Sequence, residues 1–407
     1  MNILYIVHRI PYPPNKGDKI RSFHEIKYLA EQHNLYLAFL VDDDRDLEYL
    51  PELKNYCVDY DYDLIDTRWQ KIKSLPYLFS DKPLSVPYFY SSKLQQAIDR
   101  RLNDTRIDAI ICFSSPMAEY VFRSRYGRVA DAIGIIDKPK LIMDFVDVDS
   151  DKWRMYAGFS GFPYSPIYRR EWRRLQEYEK KVGEMFDQSV YVSDKEVELF
   201  RTFCPNANTF AVPNGVDTDY FTVTDKTDST DRPDSTVLFM GAMDYYPNED
   251  AVVHFADDIW PLIRREIPDA RFVIAGSKPG KRVTELARRG QGIEVTGFVP
   301  DMRPYLAKAR VFVAPFRIAR GIQNKVLEAM AAGVPVVARP EAVQGVSGYD
   351  GCIQVESDSE PFARAVVECF RDSDRRSKMI LKARESVADR YDWETNLGLL
   401  DKLLATS

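Results

Sequence analysis

The sequence predicts an α/β protein built from two doubly wound domains. Its 407 residues exceed what one ordinary core organises, so two domains of about 150 to 200 residues are expected. In both halves short apolar runs alternate with helical patterns, as parallel sheets with crossover helices require. Between the halves, Thr222 to Ser235 is rich in Asp and Thr and nearly empty of large apolar residues, which is the composition of a linker. The expected boundaries are 1–221, a linker at 222–235, 236–388, and a terminal helix within 389–407.

The first half opens with the apolar run Ile3 to Val7, a buried strand by composition. Pro11, Pro13, Pro14, Asn15, Lys16 and Gly17 follow and cannot continue as regular structure. Ile20 to Gln32 then places Phe23, Ile26, Leu29 and Ala30 at helical spacing. Strand, glycine-bearing loop and helix is the opening of a doubly wound sheet. Leu35 to Val41, Ala109 to Phe113, Lys140 to Val146 and Ser189 to Val192 are further strand candidates. In the second half the strands are Thr236 to Met240, Arg271 to Ala275, Ile293 to Thr296 and Val311 to Pro315, with a helix near Asn248 to Ile267. Trp393, Leu397, Leu400 and Leu403 give the last helix its apolar stripe.

Charge and composition exclude several classes. A formal net charge of −6 argues against binding nucleic acid through bulk charge. Cys57, Cys112, Cys204, Cys352 and Cys369 lie far apart and fit reduced thiols in the cytoplasm. With only His8, His24, His33 and His254, no metal site is expected. Met1 to Val7 is too short for a signal peptide, and no window approaches the roughly 18 apolar residues of a membrane span.

The most informative stretch is Gly321 to Val336, Gly-Ile-Gln-Asn-Lys-Val-Leu-Glu-Ala-Met-Ala-Ala-Gly-Val-Pro-Val. A polar loop leads into an amphipathic helix, Gly333 stops it, and Val334 to Ala338 reads as a strand. Glu328 is followed by Ala329, Ala331 and Ala332, small enough for close backbone or ligand approach. This stretch resembles the nucleotide-sugar site of the retaining GT-B glycosyltransferases. Val212 to Phe221 resembles that family's interdomain segment, Val192-Ser193 a strand end before it, and Gly297-Phe298-Val299-Pro300 the part beside the nucleotide base. Pro11 to Arg21, Met143 to Ser150 and Arg317 to Lys325 resemble a bacterial subgroup associated with exopolysaccharide and PEP-CTERM protein-sorting loci.

The resemblance implies two Rossmann-like domains facing a central cleft, with the donor in the second domain, the acceptor in the first, and a last helix crossing back. It also implies that Glu328 bonds the nucleotide ribose. A second Glu usually stands eight residues earlier, beside the donor sugar, and here that position is Arg320. Many relatives carry a donor-contacting His near Asp144 and Asp147, so these aspartates and Arg320 are the candidate catalytic groups. Relatives often grip the phosphates with an Arg and a Lys after the first strand of the second domain. Here Ala242 to Pro247 stand instead.

The residues also have their own chemistry. Breaking a sugar–diphosphate bond leaves negative charge on the departing group, which Arg317, Arg320 and Lys325 can neutralise. The plain alternative is a solvated basic loop. Gly321 and Asn324 complete the candidate donor loop. Gly17 with Lys16 can form an amide-lined turn near phosphate or sugar, or an ordinary turn. Asp144 and Asp147 can orient a hydroxyl or cap the next turn. Glu328 can be a helix-surface partner for a lysine instead of a ligand.

Trp153, Tyr156, Phe159, Phe162, Tyr164, Tyr168 and Trp172, mixed with arginines, suit sugar stacking, a peripheral contact at the inner membrane face, or an amphipathic helix with an aromatic core face. The last is the simplest.

The expected protein is thus a metal-independent, hexosyltransferase-like enzyme with no cofactor. It moves a sugar from a nucleotide diphosphate sugar to a glycan or lipid-linked acceptor in polysaccharide synthesis. A GT-B epimerase or phosphorylase, or a weakened nucleotide-sugar-binding partner protein, are the alternatives.

Overall fold

A computed structural model describes residues 1–127, 138–221 and 235–405. The expected linker at 222–235 lies outside the described residues except for Ser235. The chain divides into two compact units, Met1–Val212 with Leu397–Ser407, and Pro213–Asn396.

The first unit holds a seven-stranded parallel sheet. Its strands are β1 (Asn2–Val7), β2 (Asn34–Val41), β3 (Asp59–Leu64), β4 (Ala109–Phe113), β5 (Lys140–Val146), β6 (Gln188–Tyr191) and β7 (Thr209–Ala211), in the order β3-β2-β1-β4-β5-β6-β7. The second unit holds a six-stranded parallel sheet of β8 (Thr236–Met240), β9 (Arg271–Ala275), β10 (Ile293–Gly297), β11 (Ala309–Ala314), β12 (Val336–Ala338) and β13 (Ile353–Val355). Its order is β10-β9-β8-β11-β12-β13. The strand order reverses between β1 and β4 in one sheet and between β8 and β11 in the other. Such reversals open a crevice at the carboxyl ends of the strands.

Central strands are buried on both faces, as helices packed on each side of a parallel sheet demand. Every residue of β4 and β8 is buried. Aromatic clusters anchor each core: Phe145, Tyr191 and Phe200 in the first unit, with centroids 5.1 to 5.2 Å apart, and Phe255, Trp260 and Phe272 in the second, with Phe255 and Phe272 at 4.6 Å. Burying one such ring contributes about 1.5–3 kcal/mol.

The helix expected near 248–267 is Tyr246–His254 continued through a π turn, Phe255–Ile259, into Trp260–Glu266. Pro261, which has no N–H to donate, sits at the start of that last segment, and the π turn keeps Phe255, Ile259 and Trp260 all inward. The final helix is Trp393–Ala405. Within the first unit its Asp401 accepts from the Tyr28 hydroxyl at 2.6 Å. All five cysteines are free, and no described helix is long and apolar enough to cross a membrane.

Candidate functional site

In the second unit three neighbouring strands, β8, β9 and β10, finish in glycine. Gly241 follows β8, Gly276 follows β9 and Gly297 ends β10. A Cβ on Gly276 would stand 1.8 Å from the Gly241 carbonyl oxygen. One on Gly241 would meet Asn248 Nδ2 at 2.7 Å and Lys325 Nζ at 2.9 Å. At Gly276 only glycine fits because backbone touches backbone, whereas at Gly241 a methyl would press on the side chains of Asn248 and Lys325.

Beyond β11 the chain turns through Gly321, at φ 59°, into the helix Asn324–Ala331. The helix ends as the sequence foretells. Gly333 adopts φ 66°, its N–H reaches Met330 O at 3.0 Å, and Val334 N–H reaches Ala329 O at 2.9 Å. This paired arrangement is the glycine-dependent Schellman stop.

Lys325 leaves the first turn of this helix toward the end of β8. Its ammonium donates to Asn248 Oδ1 at 2.7 Å, and Asn248 Nδ2 donates to the Ala242 carbonyl at 2.7 Å. The rings of Phe239 and Phe316 lie 5.3 and 4.9 Å from the nitrogen, a cation–π setting. Glu328 stands one helical turn on and takes no ion pair among the described residues. Burial pulls Lys325 down to about 8, opposed by the charge of Glu328. Burial pushes Glu328 up to about 7, opposed by Lys325. A cation and a carboxylate are therefore both brought close to neutrality, the condition that marks ligand-binding ions in a crevice.

The other expected donor residues are placed as follows. Arg317 grips Asp250 with two nitrogens, Nε to Oδ2 at 3.0 Å and Nη2 to Oδ1. That fork–fork pair neutralises it, so it offers a ligand little net charge. The Arg320 carbonyl accepts from Gln323 Nε2 at 2.8 Å. Asn324 Oδ1 accepts from Asn214 Nδ2 at 2.8 Å, and the Asn214 carbonyl accepts from Asn396 Nδ2 at 3.2 Å. Gly215 lies so close to Trp393 that a Cβ would sit 2.6 Å from the ring. The Pro213-Asn214-Gly215 segment thus anchors the start of the Glu328 helix. Past Gly297, at φ 73°, Phe298 is 73% exposed.

In the first unit, Gly17 opens the helix Gly17–Ala30 after β1. A Cβ there meets nothing within 4 Å, and neighbouring Lys16 is half-buried. The next residue, Asp18, is tied to Arg9 Nη1 at 2.7 Å and His8 Nε2 at 3.2 Å. Burial opposes ionisation of Asp18, but the bond and charge of His8 and then Arg9 outweigh it and hold the carboxyl far below its usual range. His8 stacks on Phe113, the last residue of β4, at 6.0 Å.

Asp144 is 1% exposed. Its Oδ2 takes Arg21 Nε at 2.8 Å and its Oδ1 takes Val146 N–H at 2.7 Å. Arg21 also pairs with Glu25 at 3.0 Å and donates to the Val212 carbonyl at 2.8 Å. Tyr5 donates to Glu25 at 2.7 Å. Burial and the charge of Asp144 push Glu25 well above the usual carboxylate range against the pull of Arg21, so one guanidinium is shared by two buried acids. Asp147 is half-buried, beyond Val146, whose φ is 67°.

The structure brings Lys325 together with Asn248, Phe239 and Phe316, which sequence reading did not single out, and sets Asn324 and Glu328 on the same helix just after the Gly321 turn. It commits Asp144 to a buried network and Arg317 to Asp250. The signal for Asn248 and Asp250 was present, as polar residues two apart at the start of a buried helix, but their partners lie 77 and 67 residues away.

Comparison with known proteins follows the same lines. Residues 234–372 match the family model described as Glycosyl transferases group 1. A phosphatidyl-myo-inositol mannosyltransferase of Mycolicibacterium smegmatis is 31% identical over 188 residues, 45% of this chain and 48% of that protein. The lipopolysaccharide core biosynthesis glycosyltransferase LpsE of Rhizobium meliloti is 30% identical over 129 residues, 31% of this chain and 37% of that protein. The chain thus spans under half the length of these curated relatives. Among solved structures, sucrose-phosphate synthase from Thermosynechococcus elongatus superposes with a TM-score of 0.70 at 16% identity, covering 99% of this chain and 98% of that one. Anabaena Alr3699/HepE in complex with UDP-glucose gives 0.68 at 12%, covering 100% and 99%. At such identities these two show the fold, which is GT-B. The family model and the curated relatives show a likeness to group 1 glycosyltransferases over part of the chain.

Proposed function

We propose that this chain is a retaining group 1 glycosyltransferase that takes a sugar from a nucleoside diphosphate sugar and hands it to a glycan or lipid-linked acceptor. The observation that carries this reading is the Lys325–Glu328 pair, set one helical turn apart beside the glycine end of β8 at the β8/β11 reversal. A ribose presents two neighbouring hydroxyls, and an ionised Glu328 accepts from both. The departing diphosphate gathers negative charge as the bond from sugar C1 to its oxygen breaks. Lys325 keeps donors to spare beside its Asn248 bond, and the first amides of the helix Asn324–Ala331 add a favourable dipole. The acceptor oxygen bonds C1, and its proton leaves with the diphosphate.

Because Lys325 brings a cation to the site from the strand β11 side, it supplies the charge that the Ala242 to Pro247 segment lacks, and no obligatory metal or cofactor is invoked. Arg320, beside this helix, is the remaining candidate for contact with the sugar. Gly17, Lys16 and Asp147 are the acceptor-side candidates, with Asp144 holding their scaffold through Arg21. Free thiols in all five cysteines support work in the reducing cytoplasm. Exopolysaccharide assembly is the setting we favour.

UDP-glucose, held by the Anabaena neighbour, is the first donor to try. A thermal-shift panel with UDP, GDP, ADP and their sugars tests the reading, since a ligand at 100 times its dissociation constant adds about 2.7 kcal/mol. One nucleotide family should raise the melting temperature, and Glu328→Ala should abolish the rise. Equal shifts in both proteins would sink the Glu328 assignment; a shift without turnover on any acceptor would favour a binding protein over an enzyme.

A further inference from the structure

Tyr220 and Phe221 are neighbours on the short helix Thr218–Phe221, yet they face different surroundings. Phe221 packs against the core of the second unit, while Tyr220, its ring centroid 5.0 Å away and nearly perpendicular, is 43% exposed. Tyr220 N–H donates to Asp217 Oδ1 at 2.8 Å, which fixes the start of this helix, and the helix lies against Asn324–Ala331, which carries Glu328. The ring is held in place without being buried.

A cation backs it. Arg303 Cζ stands 4.2 Å from the Tyr220 centroid, and the guanidinium is itself locked onto Asp301, Nε to Oδ1 at 3.0 Å and Nη2 to Oδ2 at 2.8 Å. The two side chains of that pair are 45% and 36% exposed, so their bond contributes little to folding. What it does is set a flat guanidinium against a flat ring. Burial and then the charge of Asp301 hold the Tyr220 hydroxyl above its usual range, against the pull of Arg303, and Glu328 adds to the rise. Glu328 is thus within electrostatic reach of Tyr220.

The connectivity of a nucleotide says what belongs beside this ring. Lys325 and Glu328 are about 4.5 Å apart along their helix, and on the reading proposed above they take the diphosphate and the ribose. Lys325 reaches back to the end of β8, whereas Asp301 and Arg303 follow β10, two strands away in the sheet. A nucleoside carries its base on the side of the ribose away from the phosphates, so the group that comes after the one at Glu328 is the base. The exposed ring within reach of Glu328 is Tyr220.

We infer that Tyr220, backed by Arg303, is the wall against which the nucleobase of the donor packs, and that the Asp301–Arg303 fork holds that wall in place. The inference rests on the donor reading above and supplies the contact for the part of the nucleotide that Lys325 and Glu328 leave unheld. Every base offers an aromatic face, so this wall adds affinity and leaves the choice of base to other groups.

Titration calorimetry on the full chain with UDP, GDP and ADP, set beside ribose 5-phosphate read by competition, tests it, because the last has a ribose and a phosphate but no base. Tyr220→Ala should weaken the nucleotide that the parent binds by roughly five- to a hundredfold and leave ribose 5-phosphate unchanged. Tyr220→Phe keeps the ring and should bind like the parent. Arg303→Met should weaken the nucleotide by roughly two- to fivefold, and the ligand-free melting curve should stay in place for all three variants. The inference falls if Tyr220→Ala binds the nucleotide as the parent does, or if it loses ribose 5-phosphate to the same degree, which would make Tyr220 a prop for Glu328. Glu328→Ala keeps the two readings apart: affinity lost there with none lost in Tyr220→Ala overturns this inference alone, and a parent that binds none of the three nucleotides overturns the donor reading and this one with it.

Discussion

The two strand-order reversals of this molecule are finished in opposite ways. At β1/β4 the ions are paired: Asp18 with Arg9 and His8, and Asp144 with Arg21, whose remaining contacts go to Glu25 and Val212. At β8/β11 the end of β8 is a glycine, Lys325 is held by one amide, and Glu328, one helical turn on, takes no hydrogen bond among the described residues. The first arrangement spends its electrostatics on folding. On the reading proposed above, the second keeps them for the donor. Perturbed ionisation alone does not separate the two, because Glu25 and Glu328 are both raised; the count of partners does.

Removing Asp144 should give the largest effect and test the first half of that contrast. Asp144→Ala leaves the buried Arg21 guanidinium with Glu25 as its one remaining carboxyl partner, and breaking a buried pair in this way costs about 3–5 kcal/mol. Chemical unfolding followed by the tyrosine-rich first unit should show it, with nucleotide affinity of the surviving folded protein unchanged. Normal stability with lost turnover would instead make Asp144 a catalytic residue.

Glu328→Ala should do the reverse. Two hydrogen bonds from ribose to an ionised carboxylate are worth about 1.5–3 kcal/mol each before compensation, so titration calorimetry should read a loss of ten- to a hundredfold in nucleotide affinity. The ligand-free melting temperature should not fall.

A smaller effect follows from pH. Glu328 rises from 4.5 to about 7 on folding, so the folded state holds its proton more tightly. The stability this gives is complete below pH 4.5 and is lost as pH rises through 7. Lys325 falls from 10.5 to about 8, so the cost of keeping it charged is present below 8 and relieved as pH climbs toward 10.5. The ligand-free protein should therefore be least stable near pH 7–8 on this account. Each limb should be on the order of 1 kcal/mol once solvent screening is allowed for. Glu328→Gln should flatten the acid limb and Lys325→Met the alkaline one, as melting temperatures across pH would show.

The smallest expected effect is Gly17→Ala. Nothing lies within 4 Å of the added methyl, so stability should move by less than about 0.5 kcal/mol. If that open space is where an acceptor or sugar sits, turnover falls while the melting curve stays put.

Legibility in the sequence followed burial. Ile3 to Val7, Ala109 to Phe113 and Thr236 to Met240 read as strands because a sheet covered on both faces writes an unbroken apolar run. The three strands absent from the sequence reading, β3, β7 and β13, are all sheet edges. β3 is Asp-Tyr-Asp-Tyr-Asp-Leu, a half-exposed ribbon whose apolar content is too thin to declare itself. The helix of Glu328 and its stop at Gly333 were legible because both rest on contacts within one turn. The Arg317–Asp250 pair was not, since the sequence shows a basic loop and hides the carboxylate that the fold brings to it. Lys325 was legible as a candidate cation of the donor loop, but its reach to Asn248 and the end of β8 was not.

The Asn214–Gly215 pair carries a chemical liability along with its structural role. A glycine after asparagine leaves the backbone nitrogen unhindered for attack on the side-chain amide, the step that yields aspartate and isoaspartate. In the folded chain Asn214 is 4% exposed and its amide is occupied with Asn324, which blocks that ring closure. Unfolding removes the block, and a carboxylate formed at 214 would face the Asn324 carbonyl oxygen on return. Heat would then inactivate this protein by ageing a single peptide bond, so its shelf life is set by how seldom the second unit opens.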